Sequence, residues 1–221
     1  MVKLLLLAVV PVVIIAFYIF FRDKYEKEPA ALLFKALGIG ILITIPIIFV
    51  EKLLSSMVPL LLHQGQVFYN AFVVAGFTEE LFKFIALYLM IWSNKNFNEK
   101  FDGIVYAVFI SLGFAGIENI LYVLHQGIQT GYIRAFISVP GHALFGITMG
   151  YYFGLAKFYE GKRKQFLIRS FVYPVILHGV FDFILMLGNY RLLLGFVPYV
   201  IFLYIDGLRR MKRLSQGSIY R

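Results

Sequence analysis

The chain predicts an all-α fold, a polytopic bundle of transmembrane helices. Three observations carry this. Of the 221 residues, 61 % are hydrophobic and 15 % charged, whereas soluble domains carry about a quarter charged residues. Apolar runs long enough to cross a bilayer recur along the whole length. The basic residues concentrate in alternate connecting segments, the pattern that orients helices in a membrane.

Seven spans follow in chain order, at 4–21, 31–50, 67–92, 102–124, 135–158, 171–188 and 192–208. The first run is long for the apolar region of a signal peptide, and no small-x-small cleavage site precedes RDKYEKEP, so it reads as a retained helix. The stretch 51–66, EKLLSSMVPLLLHQGQ, is apolar but short and broken by proline. It reads as interfacial or re-entrant, and counting it as a span would make eight. No repeat or low-complexity segment interrupts the chain, and 1–221 reads as one membrane-embedded domain.

Segments 22–29, 94–101, 157–170 and 209–221 hold three, two, five and five Lys or Arg, whereas 1–3, 51–66, 125–134 and 189–191 hold one each. That asymmetry places the N-terminus outside and the C-terminus in the cytoplasm. It also accounts for the net charge of +9, so no nucleic-acid partner is expected; the partner is the lipid bilayer. The absence of cysteine removes disulfides, thiol catalysis and thiolate-bound metal. Asp206 precedes GLRRMKR and is expected to pair with those arginines, while His63 and His125 fall in outer loops as solvated side chains.

A short set of ionisable residues remains at membrane depth: Glu79, Glu80 and Lys83 on the third span, Glu118 on the fourth, His142 on the fifth, His178 and Asp182 on the sixth. A charged side chain near a helix centre costs roughly 2.5–3.5 kcal/mol to insert, and each Leu, Ile, Phe or Val returns only about 0.3–0.6. Three such groups on one span must therefore face partners or water inside the bundle. Lys83 stands i+4 from Glu79 and i+3 from Glu80 and can reach either. The two glutamates point about 100° apart, so one can pair with Lys83 while the other faces a cavity. Two carboxylates this close in a poorly solvated place do not both ionise easily, which suits one of them to act as a general base.

His178 and Asp182 in HGVFD share one helix face, where the carboxylate can fix the imidazole tautomer. Ser138, His142, Gly146, Gly150 and Gly154 form an i+4 stripe, and its glycines read as a packing seam. Counted along each span at about 1.5 Å per residue, all these ionisable groups fall in the outer half or near the middle, despite alternating chain direction. One cluster opening to the outside follows. Hydrolysis, proton-coupled transport or relay, and a non-catalytic sensor or scaffold all remain open at this point. H-E-x-x-H, G-x-S-x-G, the P-loop pattern and G-x-G-D are absent.

The ordered set EELFK (79–83), FAGIE (114–118), SVPGHALFG (138–146) and HGVFD (178–182) resembles the PrsW family of bacterial intramembrane proteases. That family is related to the CAAX-protease and bacteriocin-immunity superfamily, with motifs E-E-x-x-x-R, F-x-x-x-H and H-x-x-x-N/D. Here the basic residue comes one position earlier, as Lys83, and Glu118 stands where the wider group has histidine. The resemblance implies site-1 cleavage of a single-pass membrane anti-sigma factor on its extracytoplasmic side, leading to release of an extracytoplasmic-function sigma factor in a stress response.

The chemistry expected is peptide-bond hydrolysis, with Glu79 or Glu80 activating water and the other carboxylate and Lys83 tuning it. His178, oriented by Asp182, would polarise the scissile carbonyl, with His142 and Glu118 completing the wall. Without a close-spaced histidine pair on one helix, a metal-free mechanism is favoured. A divalent metal such as zinc would use the same residues: Glu79, Glu80, His142 and His178.

Overall fold

The computed structural model describes residues 2–60, 62–188, 190–218 and 220. Its helices are α1 (Val2–Arg22), α2 (Ala30–Ser55), α3 (His63–Tyr69), a π-helical segment (Asn70–Phe77), α4 (Thr78–Ile91), α5 (Asp102–Gln126), α6 (Ile128–Phe136), α7 (Ser138–Phe158), α8 (Arg163–Leu187) and α9 (Tyr190–Gln216). No strand occurs among the described residues. With α3, the π segment and α4 forming one broken span, and α6 too short to cross, seven membrane-crossing units result. The chain is a multi-pass membrane protein.

Residues 51–66 do not make an eighth span. α2 runs on to Ser55, a single 3₁₀ turn covers Val58–Leu60, and α3 starts at His63. The side chains of His63 and Arg191 lie outside the described residues. His125 is exposed, as expected.

α5 is the hub. Its residues are apolar or small all round from Gly103 to Ala115, and a helix without a polar face is one that others surround. Every residue from Asp102 to Ala115 is buried, with α1, α2, α4, α6 and α7 packed about it. α8 covers α7 and the π segment, and α9 closes over α7 and α8. Lipid-like side chains line the periphery, with Phe34, Phe49, Leu89 and Leu194 each more than two-thirds exposed.

Glycines set the closeness of α5 to its neighbours. A Cβ on Gly150 would lie 2.2 Å from the Gly103 carbonyl oxygen, and one on Gly154 would lie 2.1 Å from that of Lys100. The stripe on α7 is thus a backbone-to-backbone seam. Gly40 and Gly113 make a second one between α2 and α5, with each added Cβ 2.1 Å from a facing carbonyl. Gly150→Leu is expected to force α5 and α7 apart and destabilise by about 1–3 kcal/mol or more. Thermal unfolding in detergent measures this, with Gly161→Ala as a neutral control, because nothing lies within 4 Å of that Cβ.

The Lys/Arg-rich segments gather at one end. Asn98 donates to Glu26 at 2.8 Å, Ser218 to Glu99 at 2.5 Å and Lys157 to the Trp92 carbonyl at 2.5 Å, while Lys100 lies over the Tyr159 ring. Arg210 pairs with Asp206 in the same helix, as the sequence predicts. These contacts put 22–29, 94–101, 157–170 and the tail on one face, the cytoplasmic one by charge. The other ends of α2, α5 and α8, with α6, form the opposite face.

Candidate active site

The π segment ends where Glu79 and Glu80 begin. A π-helical stretch takes more residues per turn than an α-helix and is frequent at functional sites. Here Thr78 Oγ1 donates to the Val73 carbonyl five residues back, at 3.1 Å, sealing the widened turn. α8 packs hard against it. A Cβ on Gly76 would meet Gly179 N at 3.1 Å, and one on Gly179 would meet the Phe72 ring at 2.3 Å. This contact brings His178 beside the glutamates.

The predicted residues converge. Lys83 Nζ donates to Glu79 Oε2 at 3.0 Å and to Glu80 Oε1 at 2.8 Å, so it reaches both carboxylates rather than choosing one. It also lies 3.3 Å from His142 Nδ1. Because an ammonium only donates, His142 Nδ1 accepts, which leaves Nε2–H to donate to Glu118 Oε2 at 2.9 Å. His178 Nδ1 stands 3.0 Å from Glu80 Oε1, and its Nε2 stands 3.3 Å from Asp182 Oδ2. Glu79 Oε2 is the centre of the set, with His142 Nδ1 at 3.8 Å and His178 Nδ1 at 3.9 Å.

Aromatic rings pack against the cluster. Phe114 lies 4.3 Å from Lys83 Nζ, ring centroid to nitrogen, and Phe145 stacks on His178 at 4.8 Å. Glu80 is fully buried, whereas Glu79 borders a cavity of about 620 Å³. His142, His178, Asp182 and Glu118 line the same cavity. Its rim is formed by Glu51, Ser55, Tyr122, Arg134, Ser138 and Met186, all from the ends opposite the basic segments. The opening therefore lies at the end opposite the basic segments, where the depth of the residues along their spans places the cluster.

Two contributors escaped the sequence reading. Arg134, counted there only as a loop charge, sits on α6 and pairs with Glu118 Oε2 at 2.7 Å. Its Nε donates to Asn119 Oδ1, and Asn119 in turn donates to the Ala8 carbonyl of α1. The signal was the short segment IQTGYIRAF, where Ile128, Tyr132, Ile133 and Phe136 recur at helical spacing and mark an amphipathic helix. Glu51, assigned to a loop, is on the outer end of α2 and lines the cavity.

A metal centre fits this donor set. One ligand atom from each of Glu79, Glu80, His142 and His178 lies within 4.8 Å of the others, all four residues buried. Carboxylate and imidazole are ligands zinc accepts. Glu80 Oε2 is buried with no partner, an unspent ligand atom. A cation also already stands among the donors, since the Lys83 ammonium touches three of the four.

Such a cluster of glutamates and histidines, held on four helices beneath a cavity, is a candidate active site within a membrane bundle, and comparison with known proteins gives the class of the chain as an intramembrane peptidase. The family model described as PrsW family intramembrane metalloprotease matches residues 28–205. The chain is 40 % identical to Protease PrsW of Clostridioides difficile, over 97 % of this chain and 92 % of that one. It is 37 % identical to Protease PrsW of Oceanobacillus iheyensis over 99 % of both chains, and 35 % identical to that of Bacillus subtilis over 93 % and 92 %. The chain belongs to the PrsW family. No solved structure matches it.

Proposed function

We propose that the chain performs site-1 cleavage of a single-pass membrane anti-sigma factor on its extracytoplasmic side, beginning the proteolysis that releases an extracytoplasmic-function sigma factor. The observation that carries the cleavage reading is the cavity over Glu79, His142 and His178, which opens on the face opposite the basic segments. The substrate class rests on the family resemblance.

In this reading Glu79 is the general base, because it alone of the two glutamates borders the cavity where water and substrate meet. Lys83 holds its Oε2 in place and keeps the carboxylate pair compensated. Glu80, behind it, positions Lys83 and His178. His178, whose ring is held by Glu80 at Nδ1 and by Asp182 at Nε2, lines the cavity beside the scissile carbonyl and offsets the charge that develops on its oxygen. Arg134 and Glu118 together fix His142 at the cavity wall. Glu79, Glu80, His142 and His178 are the residues that would hold a divalent metal, and such an ion would supply Lewis-acid chemistry.

Purified chain and a tagged single-pass substrate in proteoliposomes test this. Treatment with a strong chelator separates the two chemistries: cleavage lost with chelator and restored by zinc would give the metal-assisted form. Undiminished cleavage by chain shown free of metal would overturn the metal and leave the glutamate base. Absence of cleavage under every condition, with proton movement in its place, would favour the transporter reading.

A further inference from the structure

A second cluster lies at the cytoplasmic end, about 24 Å along α5 from Glu118 by the helix rise. Asp23, Glu26 and Glu28 come from the turn after α1, and Glu99 and Asp102 from the turn into α5. Asp23, Glu28, Glu99 and Asp102 are buried, at 1 %, 4 %, 5 % and 0 % exposure. Glu26, Glu28 and Asp102 each place one oxygen within 4.8 Å of the others.

Donors satisfy only half of these oxygens. Asp102 Oδ2 accepts from the Asn98 and Glu99 amides, Glu28 Oε2 from the Tyr106 hydroxyl, and Glu26 Oε1 from Asn98 Nδ2. Asp23 Oδ2 accepts from the Glu28 amide. Asp102 Oδ1, Glu28 Oε1, Glu26 Oε2 and Asp23 Oδ1 are buried and receive no protein donor, with the Glu28 and Asp102 carboxyls within hydrogen-bond reach of each other.

Among the described residues no base forms an ion pair with any of the five acids. Lys27 donates to the Phe20 carbonyl beneath two phenylalanine rings, and Lys100 lies over Tyr159. Burying carboxylates without a counter-charge costs several kcal/mol each, so something positive must complete the cluster. Burial also pushes Asp23 up to about 6 and Glu28 up to about 7, which makes bound protons the rival to a cation.

We infer that Glu26, Glu28 and Asp102 form a cytoplasmic binding site for one hard divalent cation, magnesium or calcium, distinct from the peptidase site. The donor set is all oxygen, three carboxylates with free lone pairs, the chemistry such ions take. The cation ties the turn after α1 to the start of the hub helix. Glu99, bonded to Ser218, links the C-terminal tail to the same point.

The test is calorimetric titration of chelator-stripped, full-length chain in nanodiscs at neutral pH, with magnesium chloride and with calcium chloride separately. A Glu79→Gln/Glu80→Gln background disables the outer cluster. The expected result is one saturable site per chain for at least one ion, retained in that background and absent in Asp102→Asn. Glu26→Gln, at a partly exposed position that tolerates change, is expected to weaken binding at least tenfold, and it decides the matter if Asp102→Asn fails to fold. Cation binding is also expected to raise Tm. No saturable binding at millimolar ion, or binding unchanged by Glu26→Gln, would overturn the site. So would an unmutated chain whose Tm rises as pH falls from about 7 to about 6 and responds to neither cation, because protons would then neutralise the cluster.

Discussion

Glu79→Gln is expected to lower cleavage of a single-pass substrate by about 10²–10⁴-fold, the range that a positioned general base contributes, while Tm changes little. Glutamine keeps the shape of the side chain and can still accept from Lys83, which stays paired with Glu80, while the negative charge and the ability to take a proton are lost. The position matters because Glu79 Oε2 lies within reach of all three nitrogens of the cluster, 3.0 Å from Lys83 and 3.8–3.9 Å from His142 and His178. Rates from purified protein at saturating substrate separate this effect from altered binding. Glu80→Gln should behave differently. Glu80 does not border the cavity and bonds to both Lys83 and His178, so its loss is expected to disorder the site as well as slow it.

Lys83→Met is expected to produce the largest loss of stability. The ammonium is 1 % exposed and stands between two carboxylates that are themselves buried. Removing one partner of a buried ion pair costs about 3–5 kcal/mol, because the remaining charge is left uncompensated. Methionine preserves length and apolar packing against Phe114, so the loss reports charge rather than volume. Denaturant unfolding in mixed micelles, read beside Glu79→Gln, measures it. Adding zinc to the Lys83→Met chain is expected to recover part of the loss, since Glu79, Glu80, His142 and His178 would face a cation again.

Much of this was legible in the sequence. Hydropathy placed the seven crossings, and the basic segments placed their sides, because lipid imposes both patterns on the chain directly. The site residues were legible for the same reason: Glu79, Glu80, Lys83, Glu118, His142, His178 and Asp182 stand in surroundings that penalise them. The structure brings all seven together. What stayed hidden depends on distance along the chain. Arg134 looked like an ordinary loop charge until α6 folded back on α5 and aimed it at Glu118. Glu51 was hidden by the extra turn that carries α2 to Ser55. The π segment has no hydropathy signal, because widening a turn changes side-chain direction and not composition. The cytoplasmic acids were unreadable in the same way. Glu28 and Asp102 are 74 positions apart, and each stands in a polar turn where an acid is unremarkable.

Side chains from α4, α5, α7 and α8 build one cavity, and the reaction proposed for it is the splitting of a peptide bond. Proteoliposomes containing the full-length chain and a single-pass substrate tagged at both ends test it, with new termini mapped by mass spectrometry. The account predicts a cut in the outer part of the substrate's membrane segment or just beyond it, and no cut with Glu79→Gln. A cut on the side of the basic segments, or cleavage that persists in both Glu79→Gln and Glu80→Gln, would contradict it.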